Sequence, residues 1–158
     1  MKIKILFMDV DGTLTDGRLY IGAQGEVMKA FDAKDGYGIV EFKKQGGIPV
    51  ILTGRQSAIV EARAAEIGIT ELHQGVTDKL AGLQMILERY GLAPGEAACI
   101  GDDLNDLPCM EYCGVSGCPA DAAVPVRDAA DYVCSAAGGR GAVREFLDWL
   151  QTTGSDCI

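Results

Sequence analysis

The sequence predicts an α/β fold: a Rossmann-like parallel sheet with helices on both faces and a β-hairpin inserted after the first strand. Two observations carry this expectation. Short apolar runs at residues 3–8, 48–52 and 97–100 alternate with segments of helical spacing, the pattern of successive strand-crossover-strand units. The polar residues that follow directly on those runs are Asp9 and Asp11, Thr53 and Arg55, and Asp102, Asp103 and Asp106. Open α/β sheets bind ligands at the carboxyl ends of their strands, so one rim collects the reactive groups.

The elements follow in order. Residues 3–8, apolar and β-favouring, form the first strand. Residues 18–31 alternate weakly around the turn-forming Gly22-Ala23-Gln24-Gly25 and read as a hairpin. Asp35 caps a helix that runs to Gln45 and is ended by Gly46-Gly47. A second buried strand at 48–52 leads through Thr53-Gly54-Arg55 into a helix over 57–67, closed by Gly68. Leu72-His73-Gln74 is a short strand, and 77–90 is a long amphipathic helix ended by Gly91. The strand at 97–100 delivers Gly101-Asp102-Asp103-Leu104-Asn105-Asp106, and a helix continues to Tyr112. A strand near Val115, a helix over 120–126, a strand at Tyr132-Val133-Cys134 and a last helix over 141–151 complete the pattern, with 152–158 as a flexible tail. No internal repeat or linker interrupts it, which points to a single domain over residues 1–158.

Composition narrows the function. Apolar residues make up 48% and charged residues 23% of the 158, the balance of a chain that builds a real core. A net charge of −9 disfavours nucleic acid and anionic membranes as partners. No apolar run has the length of a membrane span. Met1-Lys2 leads straight into the first strand, without the pattern of a secretory signal. Six cysteines, Cys99, Cys109, Cys113, Cys118, Cys134 and Cys157, form no Cys-x-x-Cys, and His73 is the single histidine. Most lie among apolar residues, so reduced core thiols in a cytoplasmic protein are expected.

The chemistry begins at Asp9-Val10-Asp11-Gly12-Thr13. Side chains alternate along extended backbone, so a simple continuing strand would drive one of the two carboxylates into the core at great cost. A strand end over which both carboxylates converge on a cation avoids that cost. Phosphate-ester hydrolysis needs a nucleophile, a proton donor for the leaving alcohol and positive charge around the transferring group. Carboxylates beside Mg²⁺ supply the first two, since this hard cation takes one or two carboxylates plus waters and substrate phosphate. Asp9 and Asp102 are the candidate ligands. Thr53 offers a hydroxyl and a backbone N–H to phosphate oxygens, and Lys79, in the first turn of a helix, offers a compact positive charge.

Asp9-Val10-Asp11-Gly12-Thr13, Ile51-Leu52-Thr53-Gly54-Arg55, Lys79 and Gly101-Asp102-Asp103-Leu104-Asn105-Asp106 resemble, in order and spacing, the four motifs of the haloacid dehalogenase-like phosphatases. Asp16-Gly17, Lys29-Ala30-Phe31, Asp35-Gly36-Tyr37-Gly38, Gln74-Gly75 and Ala137-Gly138-Gly139-Arg140-Gly141-Ala142-Val143-Arg144-Glu145 are similar to signatures of its capless tetrameric branch. That branch comprises the phosphatases of 3-deoxy-D-manno-octulosonate 8-phosphate and their sialic-acid relatives. The resemblance implies no cap domain, Mg²⁺ as cofactor, a homotetramer with neighbouring subunits completing the site, and a place in lipopolysaccharide precursor synthesis. It implies Asp9 as the nucleophile that becomes an aspartyl phosphate, and Asp11 as general acid/base. Metal ligands would be Asp9, Asp102 and, through its backbone carbonyl, Asp11, while Thr53 and Lys79 hold the phosphoryl group. Asp32, Asp35, Gly36, Arg55 and Arg63 match positions used on the sugar-acid substrate, and Arg140 matches a residue that reaches a neighbour's site. Val40 departs from the octulosonate-cleaving pattern, which often has arginine there. A nine-carbon keto-acid 9-phosphate is the alternative substrate.

Two non-enzymatic readings stand beside this one. A receiver domain of a two-component system also gathers acids, Thr and Lys on such a sheet, but there the acidic pair follows the first strand and the phosphorylated Asp the third. A catalytically idle oligomerisation domain would be expected to lose a motif aspartate, and Asp9, Asp11 and Asp102 are all present. Asp103 and Asp106 read equally as groups that orient the ligands or as charges at a helix N-terminus. His73 reads as structural, and Arg144 and Glu145 as a solvated or ion-paired helix face.

Overall fold

The structure, a computed structural model, describes residues 2–153. Its six-stranded sheet is formed by β1 (Ile5–Met8), β4 (Ile48–Leu52), β5 (Glu71–His73), β6 (Ala97–Ile100), β7 (Val115–Cys118) and β8 (Tyr132–Val133), in the order β5-β4-β1-β6-β7-β8. Every neighbouring pair is parallel. Strand β1, the first in sequence, therefore lies at the centre, and chain order reverses on either side of it. Strands β2 (Tyr20–Gly22) and β3 (Gly25–Met28) form a separate antiparallel hairpin, as expected for residues 18–31.

Alternation along β1 divides the core between the two faces of the sheet. Leu6 and Met8 join Ile39 and Phe42 of α1 (Ala33–Lys44), Val60 of α2 (Ala58–Glu66), and Val143, Phe146 and Leu147 of α6 (Ala142–Thr153). Ile5 and Phe7 face the other way, onto Leu83, Ile86 and Leu87 of α3 (Lys79–Tyr90), Met110 of α4 (Leu107–Tyr112) and Val126 of α5 (Val124–Ala129). A parallel sheet so covered must be apolar on both faces. Each of these side chains contributes about 1.5–3 kcal/mol by leaving water.

Several boundaries shift by one or two residues from expectation, and three differences change the reading. The N-cap of α1 is Asp32, whose side chain accepts from Lys34 N–H, and Asp35 lies inside the helix. The helix expected over 120–126 begins at Val124, where Pro125 occupies the first turn, and extends to Ala129. The last helix continues through Thr153, so of the expected flexible tail only 152 and 153 are described, as helix, and 154–158 fall outside the described residues. Cys99, Cys109, Cys113, Cys118 and Cys134 are buried free thiols, whereas Cys157 lies outside the described residues. No helix is long and apolar enough to cross a membrane among the described residues.

Candidate active site

The carboxyl ends of β1, β4 and β6 are adjacent in the sheet, and the residues leaving them form one cluster. Asp9 leaves β1, its N–H donating to the Ile100 carbonyl at 3.2 Å. The chain then turns through Gly12 at φ +93°, where a side chain would collide with the Asp102 carboxylate. Only glycine permits both that backbone and that approach. The Thr13 hydroxyl donates to Asp102 Oδ1 at 3.2 Å, tying the first motif to the fourth.

Lys79 is the first residue of α3, and its buried ammonium lies 2.8 Å from Asp9 Oδ1 and 2.7 Å from Asp106 Oδ1. Burial alone would lower its pKa, but the charges of Asp9 and Asp106 outweigh burial and raise it. Asp106 receives Asp102 N–H at 3.0 Å and Asp103 N–H at 3.2 Å on its other oxygen. Asp106 thus closes the loop after β6, as the third residue of the short turn that receives the N–H of its cap residue Asp103, and fixes the lysine. Asp103 caps the short 3₁₀ turn Leu104–Asp106 through Leu104 N–H.

Carboxylate oxygens of Asp9, Asp102 and Asp106 all lie within 4.8 Å of one another. Burial is the main cause that raises Asp102 to about 8, followed by its contact with the Asp9 carboxylate and the charges of Asp9 and Asp106. Burial likewise raises Asp9, with Asp106 adding to it and Lys79 opposing. Carboxylates packed this closely need a shared proton or a cation. The oxygen-only donor set suits a hard divalent ion such as Mg²⁺. Because both oxygens of Asp106 already accept hydrogen bonds, Asp9 and Asp102 are the carboxylates that fit as ligands. The Asp11 side chain does not join this acidic cluster; Lys29 Nζ lies 2.5 Å from Asp11 Oδ1, and Arg55 Nε lies 3.7 Å from Asp11 Oδ2.

The remaining candidates divide into two groups. Thr53 is buried at the end of β4, but its N–H donates to the His73 carbonyl at 3.0 Å, so only the hydroxyl remains for a phosphate. Arg55 reaches Glu26 Oε2 of the hairpin at 3.4 Å. Asp32, Gly36 and Arg63 line one small cavity beside Phe31, with the guanidinium 5.8 Å from the Phe31 ring centre. A Cβ on Gly36 would fall 2.3 Å from Arg63 Nη2. Asp35 also lines that cavity and is 1% exposed. Its Oδ1 accepts from Arg144 N–H at 2.9 Å, in the first turn of α6. It thus caps α6 rather than α1. Burial raises Asp35 to about 6, against the N–H groups that favour its charge. Arg140 is exposed in the turn before α6, and Gly139 N–H of that turn donates to the Thr13 carbonyl at 3.1 Å.

Sequence reasoning missed Glu26 and gave Lys29, named only within the signature Lys29-Ala30-Phe31, no role of its own. No pattern along the chain indicates that the ribbon folds back over Asp11.

A doubly wound sheet whose central strand ends in Asp-x-Asp, with a lysine and a second acidic loop beside it, defines a phosphoryl-transfer hydrolase. A profile described as haloacid dehalogenase-like hydrolase matches residues 59–147. The 3-deoxy-D-manno-octulosonate 8-phosphate phosphatase of Escherichia coli K12 is 47% identical over 149 residues, covering 94% of this chain and 79% of that protein. The chain therefore belongs to the haloacid dehalogenase-like hydrolases, in the family of 3-deoxy-D-manno-octulosonate 8-phosphate phosphatases. Among solved structures, the cobalt-bound octulosonate 8-phosphate phosphatase of Haemophilus influenzae superposes with TM-score 0.94 at 38% identity, covering 98% of this chain and 90% of that one. The Moraxella catarrhalis enzyme, in complex with magnesium ion, phosphate ion and a KDO molecule, superposes at 0.91 with 39% identity, over 95% and 86% of the two chains.

Proposed function

We infer that this chain is a Mg²⁺-dependent phosphatase that hydrolyses 3-deoxy-D-manno-octulosonate 8-phosphate to the sugar acid and inorganic phosphate. The observation that carries this is the convergence of the Asp9 and Asp102 carboxylates beside Lys79, in a chain so similar to phosphatases of that substrate.

Asp9 is the nucleophile in this reading. One of its oxygens attacks phosphorus, the bond from phosphorus to the sugar's O8 breaks, and the leaving oxygen takes a proton from Asp11. Water then attacks the aspartyl phosphate and gives a proton back to Asp11, which releases orthophosphate and restores Asp9. Lys79 fixes Asp9 and, with the Thr53 hydroxyl, neutralises and holds the phosphoryl oxygens. Bound Mg²⁺, held by Asp9, Asp102 and the Asp11 carbonyl, supplies divalent positive charge against those oxygens. Asp106 orients Lys79 and the loop that carries Asp102.

Arg55, Arg63, Asp32 and Gly36 receive the sugar acid in this reading, with guanidinium groups suited to bidentate pairing with its carboxylate. Asp35, which lines the same pocket and holds the first turn of α6, belongs to that substrate-binding set. The assembly is a cytoplasmic homotetramer in which Arg140 of one subunit completes a neighbour's site. Its support is a capless, open rim and an exposed apolar hairpin surface at Leu19, Ile21, Val27 and Met28, since an isolated two-stranded ribbon is marginal.

Steady-state kinetics with the octulosonate 8-phosphate and with a nine-carbon keto-acid 9-phosphate, each with Mg²⁺ and with EDTA, test this reading. The expected result is higher kcat/KM for the eight-carbon substrate and loss of both activities in EDTA. A preference for the nine-carbon substrate would overturn the sugar assignment, and EDTA-resistant turnover the metal.

A further inference from the structure

Lys29 stands one residue past β3, and its side chain is 1% exposed. Lysines are almost never so buried unless paired. Its ammonium lies 2.5 Å from Asp11 Oδ1 and 2.9 Å from Glu26 Oε2, and these are its ion-pair partners among the described residues. Glu26 Oε1 accepts from the Ser57 hydroxyl at 2.6 Å, and Ser57 is the N-cap of α2, directly after the second motif. On its other side, Asp11 Oδ2 faces Arg55 Nε at 3.7 Å. The Asp11 carboxylate is therefore held between the hairpin and the β4–α2 loop, away from the cluster of Asp9, Asp102 and Asp106.

This arrangement is more than an anchor for the hairpin. Lys29 pairs with Asp11 and Glu26 and has no ion pair with Asp9 or Asp102 among the described residues, so it stands outside the acidic cluster. Proton transfer to a leaving oxygen demands a donor held in reach and alignment, and misplacement by an ångström can cost two orders of magnitude. A free aspartate side chain would spread over several rotamers. Here both of its oxygens face cations, and both cations also pair with Glu26, Lys29 at 2.9 Å and Arg55 at 3.4 Å, while Glu26 is itself fixed by Ser57.

We propose that Lys29, braced by Glu26 and Ser57, is the positioning residue for Asp11, making the hairpin part of the proton-transfer apparatus of the site. The proposal rests on Asp11 being the general acid of the first half-reaction. Its consequence depends on the leaving group. The alkoxide leaving from the sugar's O8 needs a proton as the ester bond breaks. The p-nitrophenolate leaving from p-nitrophenyl phosphate is stable as an anion and needs little help.

The test compares kcat/KM, which covers steps through departure of the alcohol, for octulosonate 8-phosphate and p-nitrophenyl phosphate with Mg²⁺. The variants are Asp11→Asn, Lys29→Met, Lys29→Arg and Glu26→Gln, each checked for folding by thermal unfolding. Asp11→Asn is expected to lose the sugar phosphate by about 10²–10⁴-fold, the usual worth of general acid catalysis, and the aryl phosphate far less. Lys29→Met should share that selectivity at about 10–100-fold on the sugar phosphate. Lys29→Arg should restore part of the loss, and Glu26→Gln should show the same selectivity at smaller size. If Lys29→Met or, should it fold poorly, Glu26→Gln loses both esters equally while Asp11→Asn remains selective, the positioning role is overturned and Asp11 keeps its own. If Asp11→Asn loses both esters equally, the acid role itself falls and the proposal with it.

Discussion

Asp106 accepts the Lys79 ammonium on Oδ1 at 2.7 Å and the Asp102 and Asp103 N–H groups on Oδ2 at 3.0 and 3.2 Å. One buried carboxylate thus links the charge beside Asp9, the proposed nucleophile, to the loop that carries Asp102, the proposed second carboxylate ligand. Asp106→Asn keeps the shape but removes the charge and leaves one acceptor oxygen for two sets of donors, so its NH2 must face either Lys79 or the Asp102 and Asp103 N–H groups. Breaking a buried ion pair by removing one partner costs about 3–5 kcal/mol. Lys79 retains Asp9, so the loss should fall at the low end of that range in urea unfolding, together with weaker activation by Mg²⁺. A stability change below roughly 1 kcal/mol, the level of an exposed pair, would refute the structural role of Asp106.

Asp9→Asn should abolish turnover and leave the fold intact. An amide is neither anionic nor a competent nucleophile. The substitution also removes a charge whose burial, with Asp106 beside it, is unfavourable. The unfolding midpoint should therefore move by less than about 4 °C, equivalent to roughly 1 kcal/mol for a domain of this size. Turnover within about tenfold of wild type, a barrier change of roughly 1.4 kcal/mol, would remove Asp9 from the chemistry.

Asp35 gives a prediction with a defined sign. Burial lifts its folded-state pKa from 3.8 to about 6. Between those values the folded chain binds the proton that the unfolded chain has lost, so this residue's contribution to stability falls as pH rises through that window. Above it, the ionised form is a standing cost of up to about 3 kcal/mol, from 1.36 kcal/mol per pKa unit. Its Oδ2 has no donor among the described residues, while Oδ1 must serve the first turn of α6. Asp35→Asn keeps an acceptor for Arg144 N–H without the charge. Wild type and variant should be closest in stability near pH 4, and the variant should gain as pH rises to 7. A difference independent of pH would show that Asp35 does not titrate in this window.

Much of this was legible in the sequence because the strands are short apolar runs that stop abruptly at polar residues. Asp9, Thr53 and Asp102 sit at those stops, and a parallel sheet brings such stops together on one rim. Helix caps were less legible. Sequence spacing points to Asp35 as the cap of α1, and only the packing of α1 on α6 decides that Asp32 caps α1 while Asp35 serves α6. The hold on Asp11 was illegible for the same reason. It joins residues 11, 29, 26 and 57 across a hairpin that turns back on the sheet. Periodicity reports which face of an element is buried, not what it meets there.

Arg140 supplies the last prediction. It is exposed in the single chain, in a turn tied to the loop after β1 through Gly139 N–H and the Thr13 carbonyl. If it reaches the sugar acid in a neighbouring subunit, Arg140→Ala should cut kcat/KM for the sugar phosphate far more than for p-nitrophenyl phosphate, which never used that binding energy. Mixing separates action within a subunit from action between subunits. Asp9→Asn and Arg140→Ala subunits, refolded or co-expressed in equal amounts, produce some sites with an intact Asp9 facing an intact Arg140 from a neighbour. Random assembly of a closed homo-oligomer should then restore about a quarter of wild-type activity on the sugar phosphate. If Arg140 serves its own subunit, every site with Asp9 lacks its arginine, and the mixture stays at the level of its Arg140→Ala component.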